Sequence, residues 1–133
     1  MKINYKFKVD RFRENLFKYN DGLVSFLIST EEMTKKMKEL GKGILSLSKL
    51  LERGQFNGYV GVSESHPYFG KGYDDVDIEI HGGLTYAREE YIDETRYWVF
   101  GWDTSHYGDT PEIWTRKSCL EENDKLVTQL HNV

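Results

Sequence analysis

At 133 residues, with 38% apolar and 30% charged residues, the chain is long enough to bury one core and ordinary in composition for a globular domain. Its net charge of −4 joins two unlike parts: residues 1–56 carry 12 Lys+Arg against 7 Asp+Glu, a balance of +5, and residues 57–133 carry 6 against 15, a balance of −9. The acidic part argues against general nucleic-acid binding, the single cysteine, Cys119, excludes an intrachain disulfide and a cysteine-based zinc site, and no apolar run approaches a bilayer span.

In chain order, Lys2–Lys8 alternates polar residues with Ile3, Tyr5 and Phe7, the period of a half-buried strand. Its surroundings, MKINYKFKVD, lack a signal-peptide core, so a cytoplasmic location is expected. Arg11–Tyr19, with Phe12, Leu16 and Phe17, reads as a short helix ended by the turn Asn20-Asp21-Gly22. Leu23–Ile28 then reads as an apolar strand. Ser29 and Glu32 form a capping box for a helix over 30–53. Its apolar positions Met33, Met37, Leu40, Ile44, Leu47 and Leu51 fall on one face, weakened at Gly41 and Gly43. Gly58–Val62 is a strand whose glycines permit close backbone approach.

The next stretch, Ser63–Asp75, carries candidate chemistry. His66 precedes Pro67, which biases it toward an extended conformation. Lys71 is presented between Gly70 and Gly72, and Asp74 and Asp75 follow. Val76–Ile80 alternates cleanly and predicts a strand running on to Tyr86, interrupted by Gly82-Gly83 just after His81. A Gly pair in a strand pattern marks a bulge or the close approach of another group. Residues 88–95 read as a polar connection, and Arg96–Asp103 as the antiparallel partner of 76–86. That aromatic strand feeds a loop with Asp103, Thr104, His106, Tyr107 and Asp109. Ser118 with Glu121 offers a second capping box, starting a final helix lined by Leu120, Leu126, Val127 and Leu130 and containing a buried Cys119.

Counting register across this hairpin places His81 opposite Trp102 and Asp103. His66, His81 and His106 then reach one end of the sheet beside carboxylates. Mixed imidazole and carboxylate donors suit a divalent metal ion, with His81, Asp103 and His106 as the candidate ligands. No tight ligand signature such as HExxH is present.

Several of these segments recur together in a known pattern: Gly58–Val62, His66-Pro67, Gly70-Lys71, Tyr73-Asp74-Asp75, HGGLTY over 81–86, and FGWDTSHYGD over 100–109. The pattern resembles a family of small bacteriophage and prophage proteins, over about residues 57–133. The resemblance implies a phage-type protein acting in the host cytoplasm. Many members carry Cys where this chain has Thr104, so a thiol chemistry at that position does not extend to it.

The expected fold is α+β: a single domain over 1–133, with a basic part (1–56) and a motif-bearing part (57–133). It has a mainly antiparallel sheet and two main helices. The candidate site comprises His66, Lys71, Asp74, Asp75, His81, Thr85, Tyr86, Trp102, Asp103, His106, Tyr107 and Asp109. Two functions fit it. One is capture of a small, nucleotide-like ligand to interfere with a host process, with Trp102, Tyr86 and Tyr107 stacking a base and Lys71 and a histidine meeting phosphate. The other is a metal-dependent hydrolase acting at phosphorus. A protein-interaction module is a weaker third. The expected partner is therefore a small molecule, without membrane or general nucleic-acid binding, and a homo-oligomer is left open.

Overall fold

Alternation between large apolar and small or polar residues sends successive side chains to opposite sides of a strand. Here it builds a sheet whose central strands are buried on both faces. The computed structural model describes residues 2–4, 12–31 and 53–133. Among these residues six strands, β1 (Lys2–Asn4), β2 (Arg13–Tyr19), β3 (Val24–Ser29), β4 (Phe56–Val62), β5 (Tyr86–Ile92) and β6 (Thr95–Trp102), form one sheet in the order β1-β2-β3-β4-β6-β5. Every neighbouring pair is antiparallel. Helix α1 (Arg116–His131) packs on one face, against β4 and β3. The fold is α+β. Residues 5–8 of the expected first strand, and residues 32–52 of the helix expected over 30–53 with its capping residue Glu32, lie outside the described residues. No helix among the described residues is long and apolar enough to cross a membrane.

On the helix-bearing face, Leu23, Leu27, Val60, Val62, Phe100 and Trp102 meet Cys119, Leu126 and Leu130. On the other face, Leu16, Val24, Phe26, Tyr59, Tyr97 and Val99 form a second cluster with Ile92. A fully buried side chain of this size contributes about 1.5–3 kcal/mol, whereas an exposed ion pair such as Arg96–Glu89 contributes about 0–1 kcal/mol. The two clusters therefore carry the sheet. Gly58 lets the helix approach, because a Cβ there would lie 2.3 Å from the Trp102 indole nitrogen. In that space the buried Asn123 accepts from Trp102 Nε1 (3.0 Å) and donates to the carbonyls of Tyr59 (3.1 Å) and Phe26 (3.4 Å). One satisfied amide thus ties α1 to three strands.

The expected helix over 11–19 is instead strand β2. Between Glu14 and Phe17 the register slips by one residue against β3, with Asn15 in the left-handed region at φ 53°. This bulge breaks the period of two between Glu14 and Phe17, so Leu16 and Phe17 do not continue the alternation of a regular strand. The turn at Asn20-Asp21-Gly22 is present, closed by Gly22 N–H on the Tyr19 carbonyl (3.2 Å).

The expected hairpin of 76–86 with 96–103 is also corrected. The partner of β6 is β5, drawn from the stretch read as a connection, with Tyr86 opposite Gly101 and Ile92 opposite Thr95. The reversal falls on Asp93 and Glu94, both at positive φ (52° and 65°). These are the angles of a two-residue type I′ turn, which usually carries Asn-Gly, so the turn lacked its sequence signal. Residues 76–81 run beside α1 instead. Gln129 donates to the Glu79 carbonyl (2.7 Å) and accepts from its N–H (2.8 Å), and Glu122 accepts from His81 N–H (2.8 Å). Helix side chains take the place of a neighbouring strand, while Val76, Ile78 and Ile80 still pack on the core. The alternation was real, but its backbone partners are not a ladder. Finally, the N-cap of α1 is Thr115, whose hydroxyl accepts from Ser118 N–H (3.3 Å), so the helix starts before the expected Ser118 box.

Candidate metal centre

β6 ends at Trp102, and the chain turns through 103–109 with Thr104 and Asp109 buried. Thr104 is fully buried, donating from its hydroxyl to the Phe56 carbonyl (2.9 Å) and from its N–H to Asn57 Oδ1 (3.0 Å). Gln55 holds the following residues by donating from its side chain to the Pro111 carbonyl (2.9 Å) and from its N–H to the Trp114 carbonyl (2.8 Å). A loop pinned at both ends is a rigid support for functional groups.

On this support Asp109 is 4% exposed and lies between two imidazoles. His81 Nε2 is 2.9 and 3.1 Å from its two oxygens, and His106 Nδ1 is 3.1 Å from Oδ2, which also accepts the His106 amide at 2.9 Å. Burial by itself would raise the Asp109 carboxyl. The His106 amide, the two imidazoles and the charge of His81 outweigh it and hold the carboxyl below the ordinary range. The His81 and His106 rings are 5.1 Å apart and nearly perpendicular. Trp114 lies against the His81 ring, centroids 4.2 Å apart, and Trp102 closes the floor at 6.2 Å. On the other nitrogen of His106, Nε2, stands Asp103 Oδ1 at 3.5 Å.

His81 reaches this place on a tight turn, not on a strand. Gly83 N–H closes on the Ile80 carbonyl (2.8 Å), and Gly82, at φ +68°, takes the position that favours glycine. A Cβ on Gly82 would lie 2.3 Å from His106 Cε1, so the turn's backbone packs flat on that ring. At Gly83 a Cβ meets nothing within 4 Å. The close approach expected of the glycine pair belongs to Gly82 alone.

The atoms that His81, His106 and Asp109 can offer all lie within 4.8 Å of one another. From this spacing the three side chains could hold a divalent metal ion. The carboxylate of this set is Asp109; Asp103, the carboxylate expected with His81 and His106, stands beside His106 Nε2 instead. No family model, no curated protein and no solved structure matches this chain.

Of the other expected site residues, Thr85 joins the cluster by donating to Asp103 Oδ2 (2.9 Å), and Tyr107 is fully exposed next to His106 in the chain. Trp102, buried in the core, reaches the cluster only as the floor beneath His81. The rest are not brought there. Tyr86 lies on the opposite face, edge-on to Tyr59, with its hydroxyl donating to Glu90 (2.7 Å). His66 serves the end of α1: Nδ1 accepts from Tyr68 N–H (2.9 Å), so Nε2 carries the proton donated to the Leu130 carbonyl (2.7 Å). Lys71 offers its carbonyl to Trp98 Nε1 (2.7 Å), midway along β6, and Asp74 and Asp75 are exposed in the same loop. Sequence reasoning missed Trp114 and Glu122 as supports for His81. Neither has a local signal, since both come from beyond the loop and meet His81 only in three dimensions.

Proposed function

We propose that the chain holds a divalent metal ion at His81, His106 and Asp109 and uses it for hydrolysis, with phosphoesters as the substrate class. The observation that carries the reading is the convergence of two imidazole nitrogens and a buried carboxylate within ligand spacing of one another. Three protein ligands of this mixed type leave a coordination position for water. A bound ion of the zinc type brings such a water to a pKa of about 7. Asp109 supplies the negative charge that favours the ion, and Trp114 fixes the His81 ring against it. The phosphoester class follows from the chemistry of a metal-held water, which suits attack at phosphorus; the sequence adds an excess of Lys and Arg in residues 1–56, +5 against −9 in the remainder. Arg13, Lys18 and Arg116 bridge the two parts through Glu90, Asp93 and Glu14.

Metal analysis of the purified protein, followed by a thermal-shift series with zinc, manganese and cobalt ions, tests the reading. The protein should retain an ion or gain stability with one. His81→Ala, His106→Ala and Asp109→Ala should each remove most of the response, and a pair of these should cost little more than one. Chelation should abolish hydrolysis of an aryl phosphodiester. Absence of any response to the three ions would end the proposal.

A second reading, capture of a nucleotide-like ligand by a phage-type protein acting on a host process, is favoured by the full exposure of Tyr107. It lacks the stacking surface expected from Trp102 and Tyr86. Under it, chelation leaves ligand affinity unchanged.

A further inference from the structure

An imidazole in its neutral form carries one proton, and only the other nitrogen has a lone pair for a metal. The His106 ring stands between two carboxylates, with Nδ1 3.1 Å from Asp109 Oδ2 and Nε2 3.5 Å from Asp103 Oδ1. With the proton on Nδ1, that nitrogen donates to Asp109 and has no lone pair to offer. With the proton on Nε2, it faces Asp103 at 3.5 Å, an ion-pair distance that a small turn of the ring shortens to a hydrogen bond, and the Nδ1 lone pair points to the place where His81 Nε2 and Asp109 converge.

Asp103 is built into position. Thr85 Oγ1 donates to its Oδ2 (2.9 Å), the Ser105 amide donates to its Oδ1 (3.0 Å), and Thr85 is anchored by its own N–H on the Gly101 carbonyl (2.9 Å). The backbone of Gly82 lies against the ring itself. The imidazole thus meets one carboxylate at each nitrogen, and only the buried one lies between the two histidines.

We propose that Asp103, held by Thr85, is a positioning residue that selects the Nε2–H tautomer of His106 and so makes Nδ1 the metal-binding nitrogen. This rests on the metal reading above and assigns Asp103 a place behind the ligand. A carboxylate behind a ligating histidine orients the ring and raises its basicity, and its loss typically weakens metal affinity by about 10–100-fold.

The test titrates the full chain with cobalt, followed by its d–d absorption, and with zinc, in competition with a chromophoric chelator. Asp103→Ala should lower zinc affinity by about 10–100-fold and alter the cobalt spectrum, with the circular dichroism unchanged. Asp103→Asn keeps an oxygen acceptor for Nε2–H and should recover most of the affinity, a rescue that loss of packing alone would not give. Thr85→Val, which removes only the hydroxyl, should weaken binding in the same direction by a smaller factor and carries the test if Asp103→Ala does not fold. Wild-type affinity and an unchanged cobalt spectrum in Asp103→Ala, or in Thr85→Val if that variant carries the test, overturn the proposal while leaving the metal reading intact. A wild-type protein that binds neither ion overturns both.

Discussion

At the scale of single residues, Asp109 does the most. It is the buried acceptor between two histidines, and hydrogen bonds to a charged group contribute about 1.5–3 kcal/mol. Asp109→Asn should therefore destabilise the protein by about that amount at neutral pH. The sign with pH follows from the depressed carboxyl. A carboxyl lower in the folded than in the unfolded chain stabilises above the unfolded value, about 3.9, and loses that contribution as pH falls through the folded value. Urea unfolding of wild type and Asp109→Asn from pH 7 to pH 2 should show two curves that converge at the acid end. A constant gap throughout would show that the carboxylate charge is not what stabilises the loop. The glycines separate just as sharply. Gly82→Ala meets both a left-handed backbone and the His106 ring at 2.3 Å, whereas Gly83→Ala meets the backbone strain alone, at φ +80°. That strain is worth about 1–2 kcal/mol. Thermal unfolding should show the modest loss in Gly83→Ala, and only Gly82→Ala should also disturb the metal response.

At the scale of elements, the β5–β6 turn is the clearest case of tertiary pairing overruling local preference. Asp93 and Glu94 both occupy left-handed backbone without a glycine. Glu94→Gly should relieve about 1–2 kcal/mol of strain against the roughly 0.5–1 kcal/mol entropic cost of glycine. A net gain of a few tenths to about 1 kcal/mol is expected in chemical denaturation. A loss of stability would mean that the Glu94 side chain contributes more than its backbone costs. This turn also explains how the wrong segment was paired. Residues 76–80 show cleaner alternation than 86–92, and Gly82-Gly83 resembles a strand irregularity. Extended residues whose amides are taken up by Gln129 and Glu122 carry the same pattern as a strand, since the alternation reports only which side faces the core. β2 departs from the expected helix for the related reason that one extra residue at Asn15 breaks its period of two.

At the scale of the whole molecule, Asn123 joins the helix to the sheet floor on which the candidate centre stands. Asn123→Leu keeps the branching of the side chain but not its size, and leaves the Trp102 indole N–H buried without its acceptor. The expected cost is about 1–3 kcal/mol, measured by urea unfolding, together with a disturbed indole environment in near-ultraviolet circular dichroism. A neutral outcome would mean that Trp102 finds another acceptor. Cys119, beside it in the core, is pushed up to about 11 by burial, which accords with its reading as a packing residue.

Much of this molecule was legible before any coordinates. The α+β class, the strands expected at 23–28, 58–62 and 96–103, the turn at 20–22, the buried Cys119 and the polar loop of Asp103, His106 and Asp109 follow from patterns within a few residues of one another, whereas His81 joins that loop by a route other than the expected hairpin. Aromatic and β-branched alternation, turn residues and a polar loop after a strand are local physics, so a sequence carries them openly. The tertiary structure alone decided which carboxylate lies between the imidazoles, that Gly82 and not Gly83 packs on His106, and that His66, Lys71 and Tyr86 stand elsewhere. It also brought Trp114 and Glu122 to His81. These are contacts between segments tens of residues apart, set by how a sheet, a helix and two loops fill space together, and no short-range pattern along the chain encodes them.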